Sequence, residues 1–159
     1  VATIDVPVRL ITSPKAVEGL AVPPHVELLF NLPFAEYIEH VARARIVVVP
    51  LLDWKISVGQ SVILEALALA RPLVATRAPG SIDYVTHEQN GLLVSPGSSD
   101  ELRTALLTLL SDPALATRLS LAGREGVSIR CTPQAVMGRV SELIVQLLAQ
   151  QLDSDANRN

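Results

Sequence analysis

The residue types that invite chemistry converge on Glu65, the one charge in the apolar run Ser61-Val-Ile-Leu-Glu65-Ala-Leu-Ala-Leu-Ala70. An ionised carboxylate on a helix that is apolar almost all round is costly unless paired, hydrogen-bonded or turned toward a wet cleft. Just upstream stand Gly59, Gln60 and Ser61. Free backbone N–H groups at a helix start, helped by the helix dipole, favour a phosphate, and a glycine lets the backbone come close to it. Ser61 and Glu65 are four residues apart, on one helix face, separated by about 6 Å of rise. A diphosphate at the helix start and a sugar diol against the carboxylate fit that spacing. A purely structural reading also fits. Ser57-Val-Gly-Gln60 has the Ser-x-x-Gln spacing of a capping box, and Arg71 or Arg77 can pair with Glu65.

The surrounding elements must put this helix at the edge of a sheet. Ile46-Val-Val-Val49 before it and Leu73-Val-Ala-Thr76 after it are β-branched and apolar, which gives a β-α-β unit. Open parallel sheets bind ligands at the carboxyl ends of their strands, where loops enter helices. Further strands are predicted at Val8–Thr12, Val26–Phe30 and Asn90–Val94. An amphipathic helix is predicted over Ala35–Ala44, with Ile38, Val41 and Ala42 on its buried side, and a short helix over Ser81–Val85. Ser99–Leu110, Ala114 to about Val127, and Thr132 to about Leu152 complete the helices, with Pro133 suited to a first turn. Alternating strands and helices, with extra helices at the end, indicate an α/β sheet. We therefore expect one Rossmann-like domain over residues 1–152 and a polar tail over 153–159.

Bulk properties narrow the function classes. Apolar residues make up 49% of the 159 and charged residues 18%, the composition of a well-packed globular domain. A formal charge of -3 leaves no basic stripe for nucleic acid. Cys131 is alone, so a disulfide framework or thiolate metal site is not indicated. No apolar run reaches the roughly 18 residues that span a bilayer, and no signal-peptide pattern opens the chain, which points to a cytoplasmic setting. The chain starts at Val1 and its only methionine is Met137, the pattern expected of a piece of a longer protein.

Other candidates carry less. His25, His40 and His87 show no metal-ligand spacing. Lys55, in Asp53-Trp54-Lys55, shares the loop of the phosphate site and is either a cation for it or a solvated lysine. Asp83 and Tyr84 either border the cleft or cap a helix. A Walker loop, a Gly-x-Gly-x-x-Gly and a nucleophile elbow are all missing from the sequence.

Four segments, in order, resemble the C-terminal, donor-nucleotide-binding half of retaining GT-B glycosyltransferases, over roughly Val26 to Leu147. Val26–Asn31 followed by Tyr37–Pro50 is similar to that family's strand, helix and "a-d-v-x-v-x-P" run. Glu65-Ala-Leu-Ala-Leu-Ala-Arg-Pro-Leu-Val-Ala-Thr76 resembles "E-A-M-A-x-G-x-P-V-V-A-T". Pro79–Val85 resembles the loop and helix that follow, and Asn90-Gly-Leu-Leu-Val-Ser-Pro-Gly97 resembles "N-G-L-L-V-x-P-G-D".

The resemblance implies a nucleoside-diphosphate sugar as donor substrate, with no separate cofactor and no metal. It implies that Glu65, the second glutamate of a Glu-x7-Glu motif, binds the ribose, and that Gly59, Gln60 and Ser61 lie beside the diphosphate. Asn31 falls in a loop near the base. Ser57 stands where the family has its first motif glutamate, near the transferred sugar, which is a departure. A central strand and helix and a basic diphosphate loop are expected upstream of Val8 in the family, as is an N-terminal acceptor domain. This chain carries none of them, so a gap in the sheet and an incomplete catalyst are expected. Two rival functions stand beside this one: a non-catalytic α/β scaffold or oligomerisation module, and a sugar-nucleotide epimerase of the same fold.

Overall fold

The computed structural model describes residues 6–51 and 59–156. β1 (Val8–Thr12) passes through a 3-10 turn at Pro14–Val17 to β2 (Val26–Phe30). These two strands pair in parallel, Val8 opposite Val26 and Thr12 opposite Phe30. α1 (Phe34–Arg43) leads to β3 (Val47–Val49), α2 (Gln60–Ala68) to β4 (Leu73–Thr76), and the short α3 (Pro79–Ile82) precedes β5 (Leu92–Val94). β3, β4 and β5 form a second parallel sheet in that order. α4 (Ser99–Ser111), α5 (Pro113–Arg130) and α6 (Pro133–Ala156) follow.

The second sheet is covered on both faces, which is why its strands read as unbroken apolar runs. Val47, Val49, Leu73, Ala75 and Leu93 face Ile63, Ala66 and Leu67 of α2 and Val41 of α1. Val74, Leu92 and Val94 face the other way, onto Ala105 and Leu109 of α4 and Ala116 and Leu119 of α5. α5 touches both α4 and α2, joining the two helical layers. Its Gly123 permits that approach, because a Cβ there would lie 2.5 Å from Leu67 Cδ2. Leu67 is fully buried and has nowhere to retreat.

Helix starts follow local chemistry. Ser98 Oγ accepts from the Glu101 N–H at 3.2 Å, Asp112 Oδ1 from Leu115 at 2.9 Å, and Thr132 Oγ1 from Ala135 at 3.2 Å. Pro113 and Pro133 occupy first-turn positions, where a missing N–H costs nothing.

Several expected boundaries move, each for a physical reason. Val48 is only partly buried, because β3 is the edge of its sheet. The helix expected over Ser81–Val85 begins at Pro79, whose fixed φ suits a first helical position. Its Ser81 is fully buried, and Ser81 Oγ accepts from the Ala78 N–H at 2.9 Å. Asn90 and Gly91 lie in the turn before β5, where Asn90 Oδ1 accepts from the Thr86 N–H at 2.7 Å. The last helix runs past Leu152 to Ala156, so the first four residues of the expected polar tail are helical.

The strands form a pair and a triplet, and among the described residues the outer edges of β1 and β3 carry no partner strand.

Candidate functional site

The β3-to-α2 connection is built at the carboxyl ends of the second sheet. Thr76, buried at the end of β4, accepts the Leu51 N–H through Oγ1 at 2.9 Å and so holds the first residue after Pro50. Ser57, with Asp53, Trp54 and Lys55, lies outside the described residues. Gly59 then caps α2 in the left-handed region, φ +76°. A Cβ at this position would sit 3.0 Å from Val49 Cγ1 and 3.1 Å from Leu51 Cδ2. Backbone conformation and close approach both require glycine here.

The N-cap of α2 is Gly59, which has no side chain to cap the first turn, and the Ser57 half of the expected capping box lies outside the described residues. Gln60 opens the helix, and Ser61 follows it, exposed. Ile63 takes up the Gly59 carbonyl at 3.1 Å, the first intrahelical bond. The amide end of α2 is thus presented where a ligand of a parallel sheet binds.

Glu65 is half-buried one turn further on. Its partner is neither arginine considered from sequence. Arg71 Nε donates to the Leu69 carbonyl at 3.0 Å, and the charge of Arg77 acts on Glu101. Instead the Tyr37 hydroxyl, from α1, donates to Glu65 Oε2 at 2.6 Å. Burial, then the hydrogen bond to Glu65 and the charge of that carboxylate, push the Tyr37 phenol well above the usual tyrosine range. The Tyr37 ring is tilted 40° against Phe34, with centroids 6.2 Å apart, and Phe34 is 69% exposed.

Asn31 ends β2 with φ +50°, a left-handed conformation that asparagine tolerates. It stands three residues before α1, so the Tyr37–Glu65 bond ties the α1 side, with its Asn31 loop, to α2. Gln60, Ser61 and Glu65 lie on α2 with Gly59 as its N-cap, while Asn31 lies in the loop between β2 and α1. Sequence reasoning missed Tyr37. The available signal was an amphipathic helix with a phenol one position before its buried Ile38.

Two cavities lie at opposite ends of the second sheet. One of about 210 Å³ lies at the carboxyl ends of β3, β4 and β5, lined by Pro50, Leu51, Thr76, Ser95, Ser98 and Ser99 among others. The larger, about 360 Å³, lies at the opposite ends of the strands, beside Arg45, Arg71 and Pro72. Size alone would favour the second, but Glu65 and the start of α2 lie toward the other end of the strands.

The remaining candidates have structural duties. Asp83 is the C-terminal cap of α3 and is exposed. His87 Nδ1 accepts from the Leu93 N–H at 2.9 Å, bracing β5. Cys131 closes α5 as a free thiol.

Parallel strands covered by helices on both faces define a Rossmann-like α/β unit, half of the GT-B architecture. Residues 9–112 match the family model described as Glycosyl transferases group 1. The chain belongs to that family. It is 36% identical over 76 residues to the lipopolysaccharide core biosynthesis glycosyltransferase LpsD of Rhizobium meliloti, covering 48% of this chain and 22% of that protein. Among solved structures, sucrose-phosphate synthase from Thermosynechococcus elongatus superposes with TM-score 0.72 at 24% identity, over 91% of this chain and 39% of that one. Anabaena HepE, solved in complex with UDP-glucose, gives TM-score 0.69 at 23% identity, over 83% of this chain and 35% of that one. The chain therefore spans well under half the length of these relatives. Among the described residues, no helix is long and apolar enough to cross a membrane.

Proposed function

We propose that this chain is the donor-nucleotide-binding half of a retaining glycosyltransferase that moves a hexose-type sugar from a nucleoside-diphosphate sugar to an acceptor. The observation that carries the reading is Glu65, a half-buried carboxylate with no cationic partner among the described residues, one turn below a helix start whose N-cap, Gly59, has no side chain. The first-turn amides of α2, with Gly59, Gln60 and Ser61, receive the diphosphate. Glu65 accepts the ribose hydroxyls, and Asn31 lies toward the base. Charge that builds on the departing nucleoside diphosphate meets fixed N–H groups and the helix dipole, a stabilisation that needs no rearrangement during reaction. Ser57 takes the donor-sugar position that the family gives to glutamate. Family membership supports glycosyl transfer, and the UDP-glucose complex of HepE supports a nucleoside-diphosphate hexose as donor. An acceptor-binding N-terminal domain completes the enzyme in this reading, and the whole works in the cytoplasm.

Calorimetric titration of UDP, GDP and ADP tests the proposal. Glu65→Ala, checked to be folded, should weaken the preferred nucleotide by about 1–3 kcal/mol, the worth of a hydrogen bond to a charged group. Unchanged affinity would sink the assignment. For the stereochemistry, NMR of the sugar product made by the complete enzyme should show the donor's anomeric configuration retained.

A further inference from the structure

We propose that Tyr37 is the positioning residue of this site: its hydroxyl fixes Glu65 by holding Oε2, so that Oε1 faces the ribose diol. The proposal rests on the reading of Glu65 as the ribose acceptor. The geometry is specific. Tyr37 lies on α1 and Glu65 on α2, 28 positions apart in sequence, yet hydroxyl and carboxylate meet at 2.6 Å in a part-buried setting. α1 packs on α2, and Val41, one turn along from Tyr37, is anchored in the same core as Ile63 and Leu67. The phenol is therefore delivered by a fixed element, with Phe34 against its ring.

The chemistry explains why a phenol suits this position better than a cation. An arginine in a bidentate grip would occupy both carboxylate oxygens and neutralise the charge that a diol donates to. A tyrosine supplies one donor and no charge. It fixes the rotamer of Glu65, fills one oxygen, and leaves the full negative charge to be shared with ligand hydroxyls. The freedom that a glutamate loses on binding is then already lost in the free protein, which favours affinity.

Two readouts on the full chain test this, one without nucleotide. Tyrosine Cζ NMR distinguishes Tyr37 from Tyr84, the other of the two tyrosines. Glu65→Gln should move the Tyr37 signal and leave that of Tyr84 in place. Next, UDP, GDP and ADP are titrated alongside the 2′,3′-dideoxy form of whichever binds tightest. Wild type should prefer the ribose form by about tenfold or more. Tyr37→Phe, which keeps the ring and its packing, should lose most of that preference while its affinity for the dideoxy form stays the same. A general structural role would weaken both forms together.

A Tyr37 signal that ignores Glu65→Gln overturns the positioning role, and the ribose reading survives if wild type still discriminates. Full discrimination retained in Tyr37→Phe also overturns the positioning role alone. Wild type that fails to discriminate, or binds none of the three nucleotides, overturns the ribose reading and the positioning role with it, even where the Tyr37–Glu65 bond is real.

Discussion

The two sheets of this molecule are made of similar residues and have opposite fates. β3, β4 and β5 lie between helices on both faces, and Leu73, Val74 and Ala75 are essentially inaccessible to solvent. β1 and β2 pair along their whole length but leave Val8, Leu10 and Phe30 each more than a third exposed. A two-stranded ribbon is marginal by itself, whereas a sheet of three strands with covered faces is not. The contrast teaches where rigidity is available. α2 starts from the rigid sheet and carries Glu65, and α1, which carries Tyr37, spans from the exposed pair to the covered triplet.

Truncations on the two sides should break the comparison first and most strongly. Leu67→Ala removes a fully buried side chain between α2 and the sheet and should cost about 2–5 kcal/mol in urea denaturation. Leu10→Ala, on the exposed pair, should cost roughly 1 kcal/mol or less, since much of that side chain never leaves water. Equal costs would mean that β1 and β2 are as well buried as the rest.

Glycine substitutions sharpen the contrast through their sign. Gly123→Ala drives a methyl into Leu67 Cδ2, and overpacking of about 1–3 kcal/mol outweighs roughly 1 kcal/mol of helix propensity. Gly138→Ala on α6 meets nothing within 4 Å and should instead stabilise, by up to about 1 kcal/mol. Matching signs in thermal melts would contradict the packing assigned to α5.

The smallest effect lies at Glu101, whose Oε2 accepts the Ser95 N–H at 2.6 Å at the end of β5. That backbone bond, foremost, holds the carboxyl below its usual range, with smaller help from Arg77 and His87. A carboxylate with a lowered folded value stabilises the fold above its unfolded pKa, about 4.3, and loses that contribution as pH falls through the lower value. Glu101→Gln should therefore lower stability slightly at neutral pH, where that contribution is present, and flatten the acid limb, the two proteins converging at low pH. An identical acid limb would remove the Ser95 contact from the account.

Much of this architecture was legible in the chain. Runs such as Leu73–Thr76 are apolar on both faces, and only a two-sided parallel sheet makes sense of that. Pro133 announces its helix through chemistry confined to one turn, whereas Pro113 opens a helix expected to start only at Ala114. Glu65 was legible as a charge in need of a partner. The partner itself was not, because which face of α1 meets α2 depends on the crossing of two helices 28 positions apart. Local spacing favoured Arg71 and Arg77, but the Arg71 side chain bonds the Leu69 carbonyl and the charge of Arg77 acts on Glu101. The left-handed Gly59 at the N-cap was likewise not legible, since a steric contact with Val49 and Leu51 leaves no trace in a Ser-x-x-Gln pattern.

The central claim, that α2 and Glu65 form a nucleotide site on the rigid side of the molecule, is tested most directly by backbone NMR under titration with UDP, GDP and ADP. The account predicts amide shifts centred on Gly59 to Glu65 for the preferred nucleotide, lost in a folded Glu65→Ala. Shifts centred instead on the amino ends of the strands, near Arg45 and Arg71, with Gly59 to Glu65 silent, would contradict it.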